Sequence, residues 1–423
     1  MNILLFTNLF PNSGTPNYGI FVYRRAMQLC KSRTNSVHVV APVPYFPDWL
    51  PIPKKLRSLP RIARWQKMGR IPLEEQWGGI TVYHPRYFIV PTLSAPFHGV
   101  LMFLGAIFLV LRLHSRLRFD CLDAHFVYPD GFAAVLIAKL LTLPVVVTAH
   151  GTDLNAYARS LLLRPLIRWT LRSADHVICV STALKNVAVS LGILNHKVAV
   201  IPNGVDADCF YPIDKTDARA ILGMPLDIEV VLAVGQLIST KGHHLLIEAI
   251  RDLRLKFPRA MLFIIGEGRL ADSLQQKVVS LGLNRHITLI GPVENDHLFR
   301  WYSAADVTCQ ASSREGFPCV LLESLACGTP VVATDVGGTS ELISSRALGV
   351  LVERDAISIS TGLQRVLETS WSRTTLSQHA RSFTWEQTVV EVEEILARSI
   401  NLGQTIPAEI GNTSQPMQLG RSL

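Results

Sequence analysis

Short apolar runs rich in Val, Ile and Leu recur along the chain, bounded by turn residues and separated by segments of helical length. In the first half they fall at Asn2–Thr7, Val37–Ala41, Cys121–Ala124, Pro144–Ala149, His176–Val180 and Val198–Ile201. The pattern restarts at Glu229–Val234, Ala260–Ile265, Ile287–Ile290, Asp306–Cys309, Pro330–Ala333 and Gly349–Val352. Largely continuous apolar strands alternating with helices mark parallel sheets covered on both faces. Two such series predict two doubly wound, Rossmann-like α/β domains, whose ligands bind at the carboxyl ends of the strands and hence in the cleft between them.

The joint is predicted at Pro202-Asn203-Gly204-Val205-Asp206, followed by Tyr211-Pro212, because an Asn-Gly turn flanked by prolines suits a chain leaving one sheet for another. The division is then a first domain over 1–204 and a second domain over 205–382. Thr384–Ile400 reads as an amphipathic helix capped by Thr384 or Ser382, so 383–402 forms a terminal helix that could pack back on the first domain. Residues 403–423 are polar, with Gly, Pro and Ser, and are expected to be a loose tail.

Composition narrows the class. Of 423 residues, 48% are hydrophobic and 17% charged, the balance of a folded, core-rich protein. The seven cysteines include no C-x-x-C pair, which argues against a disulfide framework or a structural zinc site and for a reducing cytosol. The formal charge of +8 divides unevenly: residues 1–205 carry 22 Lys/Arg against 8 Asp/Glu, and the remainder 19 against 25. A +14 half beside a −6 half predicts two domains with different partners. Nucleic acid is not expected, because no RNP, helix-turn-helix or zinc-finger pattern accompanies the charge.

The opening Asn2–Thr7 lacks a basic leader and a long apolar core, and reads as a first strand, not a signal peptide. Gly99–Leu111 contains nothing polar, yet as a helix it spans about 20 Å, short of the roughly 30 Å hydrocarbon core. It reads first as a buried or half-buried helix, with membrane-surface contact or a true span as alternatives. Lys54, Lys55, Arg57, Arg61, Arg64, Lys67 and Arg70 interleave with Leu56, Leu59, Ile62, Trp65 and Met68, a stretch suited either to solvent or to an anionic bilayer surface.

Candidate chemistry lies in strand-end loops. Glu315-Gly316-Phe317-Pro318-Cys319-Val320-Leu321-Leu322-Glu323 places two carboxylates eight positions apart. A helix starting at Pro318 would leave Glu315 in the preceding loop and Glu323 in the second turn, around an anion-receptive helix start. Two glutamates about an anion site suit a ligand with hydroxyls at both ends of a diphosphate, such as a nucleotide sugar. Lys241, in Gly235-Gln236-Leu237-Ile238-Ser239-Thr240-Lys241-Gly242, sits where a strand-end loop approaches a phosphate; taken alone it reads first as a surface lysine near a turn. His150, in Thr148-Ala149-His150-Gly151, tips a strand and taken alone reads first as structural, and His125 reads equally as a cleft or a structural residue. Asp206-Ala207-Asp208 spells D-x-D but lies in the linker without supporting ligands, and is assigned to turn formation and helix capping.

Together these residues resemble the retaining glycosyltransferases of family 4, with the two-domain GT-B fold. The resemblance spans nearly the whole chain: the Glu315–Glu323 run, Ile201–Asp206 followed by Phe210-Tyr211-Pro212, Thr334–Glu341, and Val147–Asp153 each match a family segment, in the right order. It implies that Glu323 accepts hydrogen bonds from ribose, and that Glu315 holds hydroxyls of the transferred sugar. Gly316, Phe317, Pro318, Cys319 and Val320 would contact the donor, through backbone N–H groups of Gly316 to Cys319. Lys241 would neutralise the departing diphosphate, and His150 would hold a donor-sugar hydroxyl. Gly19 would let the backbone approach the phosphates, with Gly14 a rival. One departure stands out: the family usually has arginine where this chain has Gln236.

The expectation is a retaining transferase that needs no metal or other cofactor beyond its co-substrate, a nucleoside diphosphate sugar. The acceptor would be lipid-linked or a polysaccharide, with the enzyme cytoplasmic and peripheral at the inner face of the cell membrane against an anionic surface. A nucleotide-sugar-binding protein without catalysis and a same-fold epimerase remain as alternatives.

Overall fold

The computed structural model describes residues 1–32, 34–46, 65–66, 68–89 and 95–404. The basic positions Lys54, Lys55, Arg57, Arg61, Arg64 and Lys67 lie outside the described residues, as does the tail from 405 onward.

Among the described residues the chain forms two large sheets. The first contains β1 (Asn2–Phe6), β2 (Ser36–Val40), β4 (Glu74–Trp77), β5 (Ile80–Tyr83), β7 (Cys121–His125), β8 (Val145–Ala149), β9 (His176–Cys179) and β10 (Val198–Val200). Their order is β10-β9-β8-β7-β1-β2-β5-β4, parallel throughout except for β4 at the edge. A small ladder pairs β3 (Val43–Tyr45) with β6 (Arg86–Phe88). The second sheet is wholly parallel, in the order β13-β12-β11-β14-β15-β16, from β11 (Val230–Val234), β12 (Met261–Ile265), β13 (Ile287–Gly291), β14 (Val307–Gln310), β15 (Val331–Thr334) and β16 (Gly349–Val352). The continuous apolar runs are buried at every position in β8, β14 and β15, as two-sided helical cover requires. The strands between 43 and 88 carry no such run. Pro44, Glu74, Glu75 and Arg86 interrupt β3, β4 and β6, and β5 alternates buried with half-buried positions, so the continuous-run pattern does not reveal them.

The helices that frame the site are α1 (Ile20–Lys31), α2 (His98–Leu117), α3 (Phe132–Leu141), α4 (Arg164–Ser173), α5 (Thr182–Ser190), α6 (Cys319–Ala326) and α7 (Trp385–Gln404). The apolar segment at 99–111 belongs to α2, which with the preceding turn forms a 23-residue apolar span, Ala95–Leu117, long enough by length and composition to cross a membrane. Its inner face (Met102, Ala106, Ile107, Val110 and Leu113) is buried in the domain core, so the helix is half-buried. A Cβ at Gly105 would lie 2.6 Å from the carbonyl oxygen of Arg86, which is how the helix sits directly on the backbone of β6.

The chain crosses between the sheets twice, side by side: Val205 N–H donates to Phe383 O at 2.7 Å. Immediately after the second crossing, Thr384 and Gln387 cap α7 reciprocally, side chain to backbone, at 3.4 Å each way. The helix then returns to the first sheet, burying Val389, Val392, Ile395 and Leu396 beside Ile3, Val146 and Ile178. Four such side chains at roughly 1.5–3 kcal/mol each fasten the C-terminus to the N-terminal domain.

Candidate functional site

Each large sheet reverses its strand order once, between β1 and β7 in the first and between β11 and β14 in the second. Loops diverge at such points and leave a crevice at the carboxyl ends of the strands. Lys241 and Gln236 follow β11, Glu315 follows β14, and Gly14 and Gly19 follow β1, while His125 ends β7 and His150 follows β8. Residues far apart in sequence therefore converge on one cleft.

In the C-terminal domain, Lys241 Nζ donates to Glu315 Oε1 at 2.7 Å, and Gln310 Nε2 donates to the same oxygen at 3.0 Å. The two residues assigned to the diphosphate and the sugar are thus ion-paired with each other. Gln236 is exposed, and its carbonyl oxygen is 3.2 Å from His243 Nε2.

The helix after Glu315 begins at Cys319, with Pro318 one step before it and not at its first position. Pro318 has no N–H to offer. Cys319 N–H donates to Phe317 O at 3.0 Å, so that donor is already engaged, and the Phe317 ring packs on Phe383 in the core. Gly316 packs against the other domain, where a Cβ would lie 1.9 Å from His150 O, and beside it Asn155 Nδ2 donates to Glu315 O at 3.0 Å. Cys319 Sγ accepts from Asn203 Nδ2 at 3.5 Å, and burial pushes its thiol up to about 12. Glu323 is reached by the Tyr302 hydroxyl, which donates to Oε2 at 2.8 Å. Burial pushes the carboxyl up to about 7, against the opposing effects of Tyr302 and Arg24.

In the N-terminal domain, His150 Nε2 lies 3.0 Å from His125 Nδ1, and His125 Nε2 lies 3.4 Å from Asp123 Oδ2. Arg25 closes the chain, one terminal nitrogen donating to both oxygens of Asp123 at 3.1 and 3.0 Å and the other to Thr148 Oγ1 at 3.0 Å. Burial depresses both histidines, His150 further by the nearby His125 and Arg25, so both rings are neutral near pH 7. Burial alone would raise Asp123, but Arg25 and His125 outweigh it and hold it ionised.

Two adjoining cavities occupy the cleft. One, of ≈350 Å³, is lined by His150, Gly151 and Asn155 from one domain and by Lys241, Arg269, Arg314, Glu315 and Gly316 from the other. The second, of ≈440 Å³, lies between Gly14–Tyr18 and a wall that includes Gly266, Glu267 and Val293. Gln236 lines both. Glu323 and Gly19 line neither. Gly19 has a packing reason: at φ 69° it caps α1 with its Cα against Leu9, where a Cβ would fall 2.3 Å from the Leu9 carbonyl. Its rival Gly14 faces the cavity.

Sequence reasoning missed Arg269, Arg314, Tyr302 and Gln310, none of which sits in a recognisable motif. It also missed Arg24, which pairs with Asp206 at 2.7 Å and Asp296 at 2.6 Å and so ties the first domain to the linker and the second domain. Asp206 shapes the linker turn, accepting from Asp208 N–H at 3.1 Å, but the helix cap falls to Asp214, which accepts from Thr216 N–H at 2.7 Å.

Comparison with known proteins bears on what such a cleft serves. The model for "Glycosyl transferases group 1" matches residues 214–383, and that for "Glycosyltransferase Family 4" matches residues 68–208. The putative teichuronic acid biosynthesis glycosyltransferase TuaC of Bacillus subtilis is 30% identical over 86% of this chain and 89% of its own length. A D-inositol 3-phosphate glycosyltransferase of Corynebacterium urealyticum is 28% identical over 73% of this chain and 78% of its own. Among solved structures, sucrose-phosphate synthase from Thermosynechococcus elongatus superposes with a TM-score of 0.73 at 20% identity, covering 95% of this chain and 99% of that one. Anabaena HepE, in complex with UDP and glucose, superposes with a TM-score of 0.69 at 20% identity, covering 94% and 100%. Fold, cleft and sequence agree: the chain belongs to the group 1, family-4-like glycosyltransferases and has the GT-B architecture of two Rossmann-like domains.

Proposed function

We propose that this glycosyltransferase moves a sugar from a nucleoside diphosphate donor, with retention at the anomeric carbon, to a lipid-linked or polysaccharide acceptor. The observation that carries the reading is the paired cavity: a polar chamber with Lys241, Glu315 and His150 opens beside a second chamber, with Gln236 at the junction. That arrangement suits sugar and diphosphate in the first and nucleoside in the second. Glu323 lines neither chamber and accepts from Tyr302 on one oxygen; the other is assigned to a ribose hydroxyl on the strength of the family resemblance. In the reaction, the bond from the anomeric carbon to the β-phosphate oxygen breaks and a bond to the acceptor oxygen forms on the same face. The acceptor's proton passes to the departing phosphate oxygen, and the nucleoside diphosphate leaves. Lys241 and backbone N–H groups carry the leaving charge, so no resident metal or cofactor is assigned and rates in EDTA should match those without it.

The Bacillus relative's name, a putative teichuronic acid biosynthesis glycosyltransferase, favours a polysaccharide among the acceptors. The outer face of α2 and the turn before it support a cytoplasmic enzyme docked on the membrane: Phe97 in the turn and Leu104 and Phe108 on the helix are 61%, 55% and 82% exposed. Arg112, Arg116 and Arg118 follow at the end of that helix. On the same layer, Arg164, Arg168 and Arg172 line a groove of ≈480 Å³ that has no acidic residue in its wall. Apolar residues with cations that form no ion pair among the described residues suit an anionic bilayer.

The test is a panel of UDP-, GDP- and ADP-sugars scored by thermal shift and by nucleoside diphosphate release. Release that depends on added acceptor supports transfer. Binding without turnover would favour a binding protein, and conversion of the donor without an acceptor would favour an epimerase.

A further inference from the structure

We infer that Arg269 is the second cation on the diphosphate, doing at that site what the neutral Gln236 cannot. The inference rests on the donor reading above and deepens it. A diphosphate leaving group brings at least two negative charges into the smaller cavity and gains more as its bond to the sugar breaks. Lys241 is the cation that sequence reasoning placed there, but its ammonium is paired with Glu315 at 2.7 Å. The pair is neutral as a unit, and Gln236 adds dipoles without charge.

Arg269 is brought to the same spot by backbone, not by chance of a flexible side chain. It lies on the loop after β12, and that loop is laced to the Gln236–Leu237 segment: Leu237 N–H donates to Glu267 O at 2.9 Å, and Leu270 N–H donates to Leu237 O at 3.0 Å. Gly266 and Gly268 allow the contact, since a Cβ at Gly268 would lie 2.5 Å from Leu237 O and one at Gly266 would lie 2.0 Å from Gly235 O. Arg269 lines the cavity with Gln236 and Lys241, is exposed, and forms no ion pair among the described residues. A guanidinium in that position supplies a forked donor to the phosphate oxygens and cannot lose its proton at working pH. It acts when the sugar–phosphate bond breaks, holding the electron pair that stays on the departing oxygen. Arg314 stands on the loop before Glu315, anchored by Ser313 N–H to Thr240 O at 2.8 Å, and is the competing candidate.

The experiment is a suppression test on the full chain, with the best donor from the panel. Arg269→Ala should lower kcat by about 10²-fold, the scale for removing one preorganised charge stabiliser, while the donor KM moves less. Arg269→Lys should keep most of the rate. Gln236→Arg should recover at least about tenfold in the Arg269→Ala background, because it returns a cation to the adjoining backbone position. Wild-type turnover in Arg269→Ala, no recovery in the double variant, or the loss appearing in Arg314→Ala instead would overturn the assignment. If the wild type turns over no donor, the functional reading fails by itself. Arg269 is then judged by calorimetric titration with UDP, GDP and ADP: weaker binding by Arg269→Ala supports the cation site, and unchanged affinity overturns it.

Discussion

His125 Nδ1 and His150 Nε2 lie 3.0 Å apart with their rings stacked at 11°. Asp123 decides how that proton is shared. Its ionised carboxylate faces His125 Nε2 at 3.4 Å, which favours a hydrogen there. His125 Nδ1 is then a lone pair, His150 Nε2–H donates to it, and the lone pair left on His150 Nδ1 is buried without a partner among the described residues. Nitrogen NMR on histidine-labelled protein should show both rings in the Nε2–H form, and a Nδ1–H signal assigned to His150 would contradict the relay. His125→Asn should change that signal.

Both histidines also set an acid limit on folding. Their folded pKa values lie below the ordinary 6.5, so below that pH the unfolded chain binds more protons than the native one. Stability should fall as pH drops from about 6.5 toward the folded values, a decline that thermal melts across pH 7 to 5 would register.

Glu323 predicts an opposite dependence in the free enzyme. Its carboxyl titrates near 7, above the ordinary 4.5, so its ionisation removes stability as pH rises from 4.5 through about 7. In the proposed donor complex the ionised form accepts from ribose, so on that reading donor affinity should weaken below about pH 7. Tyr302→Phe removes the hydroxyl that stabilises the carboxylate and should move that midpoint upward; an unmoved midpoint would show that another group titrates.

Lys241→Ala should abolish measurable transfer, with a loss of about 10² or more, because it removes a cation assigned to the leaving diphosphate. Glu315→Gln releases Lys241 from its ion pair yet removes the carboxylate assigned to sugar hydroxyls, so kcat should fall while nucleoside diphosphate binding strengthens. Calorimetry against UDP, GDP and ADP separates the two effects.

Glu341 joins the domains. It accepts from the N–H groups of Thr182 and Ala183 at 2.9 and 3.1 Å, at the start of α5 in the other domain. A carboxylate on a helix N-terminus contributes about 0.5–2 kcal/mol. Glu341→Ala should therefore lower the melting temperature and widen the cleft in small-angle scattering. Gly316→Ala should widen it further, since its Cβ would collide with His150 O.

Phe108→Asp should reduce binding to anionic vesicles without changing the melting temperature, because that side chain is 82% exposed. Equal vesicle binding at low salt by Phe108→Asp and wild type would remove α2 from the membrane contact.

The sequence by itself determined the architecture. Continuous apolar runs such as Pro144–Ala149 and Pro330–Ala333 must be covered on both faces, and two series of them leave little besides two doubly wound domains. It also placed Glu315, Lys241 and His150 in strand-end loops, because glycine-bounded loops after such strands are legible locally. Only the tertiary structure decided which of those groups are engaged, and with what. The Lys241–Glu315 pair spans 74 positions and Arg25–Asp123 spans 98, separations that no periodicity encodes. Arg269 and Tyr302 carry no motif and gain meaning from what lies beside them: the backbone of Leu237 for one, the carboxylate of Glu323 for the other. Parallel sheets make this general, since every crossover returns the chain to the same edge and side chains from distant segments meet there.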